Sequence, residues 1–195
     1  MNYLKRTALV IGLLGIISSG LVACGGSKGN SSSNVVGNVA VNGSTVTSTD
    51  TVNGVSIAAS ISNLTMYSNS YYNYGGNSGG ASFMLTVNNS SQQVTASNIN
   101  TGNWAQTSVG GQYVVYSTSE MIDSTDVALV VMITSYYGNN SGCSQYKQMG
   151  MIQNTSTGAI RSVSEQVGYG SSCGGLTPIL PSATALIAQL QSIMI

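Results

Sequence analysis

The chain has 195 residues with five Lys+Arg, five Asp+Glu and no His, and only 5% of it is charged, against about 25% in an average soluble protein. With no His there is no His zinc site, no Ser-His or Cys-His nucleophile and no imidazole acid–base step, and five cations cannot build the basic patch that neutralises phosphates. Hydrophobic residues make up 42%, which excludes a polyelectrolyte-type disordered chain, and the length suits one domain.

Lys5 and Arg6 form a short positive region. The apolar run 8–17 (ALVIGLLGII) follows, too short to cross about 30 Å of hydrocarbon comfortably. Ser18, Ser19 and Gly20 break it, and Leu21-Val22-Ala23-Cys24 comes next, before Gly25 and Gly26. This order of segments resembles the signal peptide and lipobox of bacterial lipoproteins, over residues 1–26. The resemblance implies cleavage between Ala23 and Cys24, a diacylglyceryl thioether on Cys24, and a membrane partner reached through that anchor. At about 0.8 kcal/mol per buried CH₂, two or three acyl chains hold a protein at the bilayer essentially permanently. Gly25, rather than Asp, follows the Cys. That favours the outer over the inner membrane within the cell envelope, with the domain periplasmic or surface-exposed. Three cations (Lys28, Lys147, Arg161) and five acids then remain in the mature chain.

Residues 24–54 read as the lipidated Cys and a Gly/Ser/Asn-rich tether. Val recurs at 35, 36, 39, 41, 46 and 52, so 35–54 forms an edge strand or stays extended. From 55 to 195 a single β-rich domain is expected, as short β segments alternate with turn signals. Val55, Ile57, Ala59 and Ile61 alternate, as do Phe83, Leu85 and Val87, while Val94 and Ala96 mark a weaker strand. Segments 104–109 and 112–118 flank Gly110-Gly111, a two-residue hairpin signal. The nearly continuous apolar run 127–137 predicts a central strand covered on both faces. Segments 144–153 and 159–169 flank NTSTG, where Gly158 suits the left-handed position of a three-residue loop (156–158).

Pro181 sits where a helix can begin, and Leu186, Ile187, Leu190, Ile193 and Met194 follow at helical spacing. The expected fold is mainly β: an antiparallel meander of about eight strands, curved or partly closed, with one C-terminal α-helix over a sheet face. In a simple meander, connections 71–80, 100–103, 119–126 and 154–158 share one end. Connections 89–91, 110–111 and 138–142 share the other.

Cys143 and Cys173 are the thiols left once Cys24 is lipidated. An even count in an oxidising compartment predicts a disulfide, with the two residues placed about equally far from Gly158. Glu120, Asp123 and Asp126 gather three acids in EMIDSTD. They are a weak candidate for a Ca²⁺ site, matching no calcium loop, and the plainer reading is a solvated turn capped by Asp; no cofactor is expected. Tyr71, Tyr72 and Tyr74, with Tyr136, Tyr137 and Tyr169, stand among Gly, Ser and Asn. That is the composition of adaptable binding surfaces, although Tyr also packs at strand ends with its hydroxyl in water.

Two functions fit. One is a non-catalytic envelope or surface module that binds a glycan, envelope polymer or protein through its Tyr loops, with no role in nucleic-acid binding. The other is a carrier that holds a lipid or other apolar ligand in a hollow interior lined by residues such as Phe83, Leu85, Leu129 and Val131. The carrier rests on fold-level analogy with lipocalins and lipid-trafficking lipoproteins.

Overall fold

The computed structural model describes residues 35–52, 55–67, 80–135, 145–169 and 180–194. Eleven strands and one helix follow in chain order: β1 (Val35–Val36), β2 (Val39–Asn42), β3 (Thr45–Val52), β4 (Val55–Tyr67), β5 (Gly80–Val87), β6 (Ser90–Asn98), β7 (Ala105–Val109), β8 (Tyr113–Met121), β9 (Asp126–Ser135), β10 (Gln145–Asn154), β11 (Ile160–Tyr169) and α1 (Leu180–Ser192). The strands form one curved, nearly closed sheet with the order β1-β11-β10-β9-β8-β6-β5-β4-β3-β2, and β7 pairs with β8.

Alternation decides which side chains go inside. Ile57, Ala59 and Ile61 of β4, Phe83, Leu85 and Val87 of β5, and Val94 and Ala96 of β6 all enter the interior core, as their period of two requires. After Ile61 the apolar positions of β4 change parity, and Leu64 is the next to be buried. A bulge between Ser62 and Thr65 absorbs the change, with Asn63 at φ 54. Asn tolerates this left-handed conformation, and the extra residue keeps the apolar set inward.

β9 is covered on both faces, as its sequence predicts. Val127, Leu129, Val131 and Ile133 point into the barrel core. Ala128 and Val130, with Ile152 of β10, pack outward against Ala183, Leu186, Ile187 and Leu190 of α1. The helix therefore seats on the outside of the sheet, and Gly150 sets how close it comes. A Cβ built there would lie 2.9 Å from both Leu186 Cδ2 and Leu190 Cδ1. Gly150→Val should force the helix outward and cost about 1–3 kcal/mol, read as a lower urea midpoint at unchanged slope. An unchanged midpoint would mean that the helix has room to spare at this position.

The mainly β fold with one C-terminal helix is as expected, and two further features have plain causes. Residues 35–52, read as the end of the tether forming an edge strand or staying extended, contribute three strands, because Val46 at 1% exposure fills the interior from β3 and β3 pairs with β4 from Val46↔Ile61 to Val52↔Val55. The eight strands expected from residue 55 onward all form, and these three bring the described count to eleven. The meander is also not uniform at β8. That strand's edge is shared by β7, over Tyr113–Ser117, and by the parallel end of β6, at Ser97↔Thr118 and Asn98↔Ser119. Hydroxyls complete this short contact, Thr118 Oγ1 donating to Ser97 O at 3.2 Å and Ser117 Oγ to Thr95 O at 3.3 Å.

The turns behave as their glycines suggest. Gly110 and Gly111 have φ 61 and 69, though Val109 pairs with Tyr113, so the loop has three residues rather than two. Gly158 has φ 74, and its N–H donates to Asn154 O at 2.8 Å. The β10–β11 register runs from Gln145↔Tyr169 to Ile152↔Ser162, the register a three-residue loop at 156–158 implies. A bulge then shifts the last pair to Gln153↔Ile160.

The described strand ends alternate as a meander requires. The turns before β6 and before β8 are neighbours, since Asn88 Nδ2 donates to Tyr113 Oη. At the opposite end the turns after β8 and after β10 meet, with Thr155 N donating to Thr125 O at 2.7 Å.

Candidate functional site

The described residues concentrate their buried charge where the two ends of the sheet meet. The strand order ends in β1 on one side and β2 on the other. β1 joins β11 in parallel through Val35↔Val163 and Val36↔Ser164, and β2 joins β3 through Val39↔Ser48 to Asn42↔Thr45. The chain turns between them at Gly37, with φ 98. A Cβ on Gly37 would lie 2.9 Å from Glu165 O and 3.0 Å from Glu165 Cβ. Position 37 therefore needs glycine twice over, for its backbone angle and for its seat against β11.

Beneath this seam lie Ser48, Lys147 and Glu165. Ser48 shares the inward parity of Val46 on β3, Lys147 that of Met149 and Met151 on β10, and Glu165 that of Val163 on β11. Met149 stands opposite Glu165, and Lys147 opposite Val167, so the lysine reaches the carboxylate on the diagonal. Lys147 Nζ lies 2.9 Å from Glu165 Oε1, with side-chain exposures of 0% and 2%. The same nitrogen donates to Ser48 Oγ at 2.6 Å, and Ser48 Oγ donates to Glu165 Oε1. Ser48 thereby links β3 to β11, two strands with no ladder between them among the described residues.

A hydroxyl beside an amine and a carboxylate has the composition of an activated nucleophile. Ser48 is only 2% exposed, so a substrate reaches it only if the seam opens. In the nearly closed sheet the cluster is an internal polar tie. A buried pair of this kind adds little net stability over an apolar replacement, yet losing one partner is costly.

The acids of EMIDSTD are used individually. Asp123 Oδ1 accepts from Thr125 N at 2.7 Å, Asp126 N at 2.7 Å and Thr125 Oγ1 at 3.1 Å, the Asp-capped turn of the plainer reading. The backbone N–H groups of Thr125 and then Asp126 hold its carboxyl below the usual carboxylate range. Asp126 Oδ1 accepts from Asn154 Nδ2 at 2.9 Å, and its Oδ2 lies 3.7 Å from Arg161 Nε. Glu120 stands on β8 opposite Ala128. Among the described residues, no three of His, Cys, Asp and Glu are grouped to hold a metal.

A carboxyl acidified by folding stabilises the fold above its unfolded pKa, about 3.9 for Asp, and that contribution is lost as pH falls through the folded value. Asp123→Ala should therefore lower the Tm at neutral pH, and the gap to wild type should narrow in strong acid, read by melting at both pH values. A gap that does not narrow would show that the carboxylate does not hold this turn.

Cys24, Cys143, Cys173, Tyr71, Tyr72, Tyr74, Tyr136 and Tyr137 lie outside the described residues. The framework that leads to several of them is described. Ser135, Gln145 and Tyr169 form one cross-strand row. Tyr136 follows its first member, Cys143 precedes the second by two residues, and Cys173 follows the third by four. Tyr67 and Gly80, which pair at the ends of β4 and β5, flank the segment that carries Tyr71, Tyr72 and Tyr74.

Sequence reading missed the seam cluster. Its signal was a charged residue on the apolar parity of each of two successive strands, Lys147 beside Met149 and Met151, and Glu165 beside Val163. No described helix is long and apolar enough to cross a membrane. Comparison with protein families, with curated proteins and with solved structures finds no match.

Proposed function

We propose that this chain is a lipid-anchored bacterial envelope lipoprotein whose β domain is a non-catalytic binding or structural module. Leu21-Val22-Ala23-Cys24 supports the anchor. The observation that carries the choice of module over carrier is the packing of the interior. Phe83, Leu85, Leu129 and Val131, the residues that would line a ligand cavity, are each 0–1% exposed. A cavity holding a lipid would leave its walls with accessible area.

The domain then works through its surface. The Tyr-bearing segments 71–74 and 136–137, with Tyr169, are the proposed contacts for a glycan, envelope polymer or protein partner. Rigid aromatic rings among small hydrogen-bonding residues suit that role. Cys143 and Cys173 are proposed to be bonded beside the second of these groups, closing a loop of about 30 residues that would stabilise the fold by roughly 3–4 kcal/mol in the chain-entropy model.

Native mass spectrometry of the mature domain freed of its acyl chains separates the two functions. The module is expected to fly at the mass of its chain alone. An apolar molecule that stays bound at substoichiometric or full occupancy would favour the carrier.

A further inference from the structure

We infer that the seam between β3 and β11 is a built-in opening point, with β1 and β2 as a strap across it. Backbone pairing is sparse here. Among the described residues, β1 holds β11 through two residue pairs and β2 holds β3 through four, whereas β9 and β10 share a ladder of ten. The two sides of the seam converge at the turns, where a Cβ on Gly158 would lie 3.7 Å from Ser44 Cβ.

The interior beneath the seam is also the part that loses least on meeting water. Most of the barrel core is aliphatic, and exposing it carries the full hydrophobic cost. Under the strap, by contrast, stand an ammonium, a carboxylate and a hydroxyl. Taking such charges out of water costs several kcal/mol per ion, and opening returns that hydration. Local openings follow the segments with the weakest ladders and the least apolar burial, and the seam combines short ladders with a polar cluster beneath them. Gly37 is the latch, since its backbone angle and its fit against Glu165 admit no side chain.

Lysine chemistry reports the opening, because the full chain has three lysines, Lys5, Lys28 and Lys147. The protein extracted from membranes in detergent micelles, which keeps Lys28 and Lys147, is treated with an amine-reactive ester, and labelling at each lysine is followed by peptide mass spectrometry. Amide hydrogen exchange of β9 is followed in parallel as a gauge of global unfolding. In the wild type, Lys147 should label far more slowly than Lys28. Gly37→Val should raise the Lys147 rate by about tenfold or more while exchange in β9 stays within about twofold of wild type. Replacing Gly43, which has φ 60 but nothing within 4 Å of a built Cβ, should raise the Lys147 rate much less. An unchanged Lys147 rate in Gly37→Val would overturn the proposal. So would a rise matched by equal acceleration throughout β9, because Lys147 would then be exposed only by unfolding of the whole barrel.

Discussion

Lys147→Met should lower the unfolding free energy by about 3–5 kcal/mol, the range for breaking a buried ion pair by removing one partner. The methionine keeps the length and apolar stem of lysine, so packing beside Met149 and Met151 changes little. Lost are the ammonium 2.9 Å from Glu165 Oε1 and the 2.6 Å bond to Ser48 Oγ. The carboxylate of Glu165 would remain buried without that countercharge. Adding Glu165→Leu to the same chain should restore most of the loss or exceed wild type, because a matched apolar pair carries no desolvation penalty. Urea denaturation of the two variants measures both effects. A loss under about 1 kcal/mol for Lys147→Met, as at an exposed pair, would show that the cluster is hydrated in solution.

Cys24→Ala should remove the protein from the membrane fraction, leaving an uncleaved precursor or a soluble, mislocalised form. Under the proposed function, two or three acyl chains on Cys24 at about 0.8 kcal/mol per buried CH₂ would dominate membrane affinity. No described helix offers a substitute span. Detergent phase partitioning of wild type and variant reads the result. A variant that matures normally and stays in the detergent phase would show that Cys24 is not the anchor.

Most of the strand framework was legible because period-two alternation is a local signal. Val127 to Ile133 could be placed as a doubly covered strand from its unbroken apolar run, and α1 from the spacing of Leu186, Ile187 and Leu190. Residues 35–52 were harder. Their Ser, Thr and Asn content imitates a tether, and the inward set of β3 pairs Val46 with Ser48, so the apolar stripe is broken by a hydroxyl whose partners lie 99 and 117 residues away. The seam cluster was hidden for the same reason. Lys147 and Glu165 look like ordinary solvent-facing charges until the parity of their strands is set against their neighbours. Asp123 was readable as a turn cap because its partners, Thr125 and Asp126, are adjacent in sequence. The bulges at Asn63 and at Ile152/Gln153 shift register by one residue without a turn signature. Only the change of parity at Leu64 gives the first of them away.

The most direct test of the lipoprotein account is the intact mass of the protein extracted from bacterial envelopes in detergent, measured with and without reduction. The expected chain begins at Cys24, carries a diacylglyceryl group with or without a further acyl chain, and gains two hydrogens on reduction of the Cys143–Cys173 bond. A chain of unmodified mass, whether it begins at Met1 or at a processed residue, would contradict the anchor and with it the envelope function.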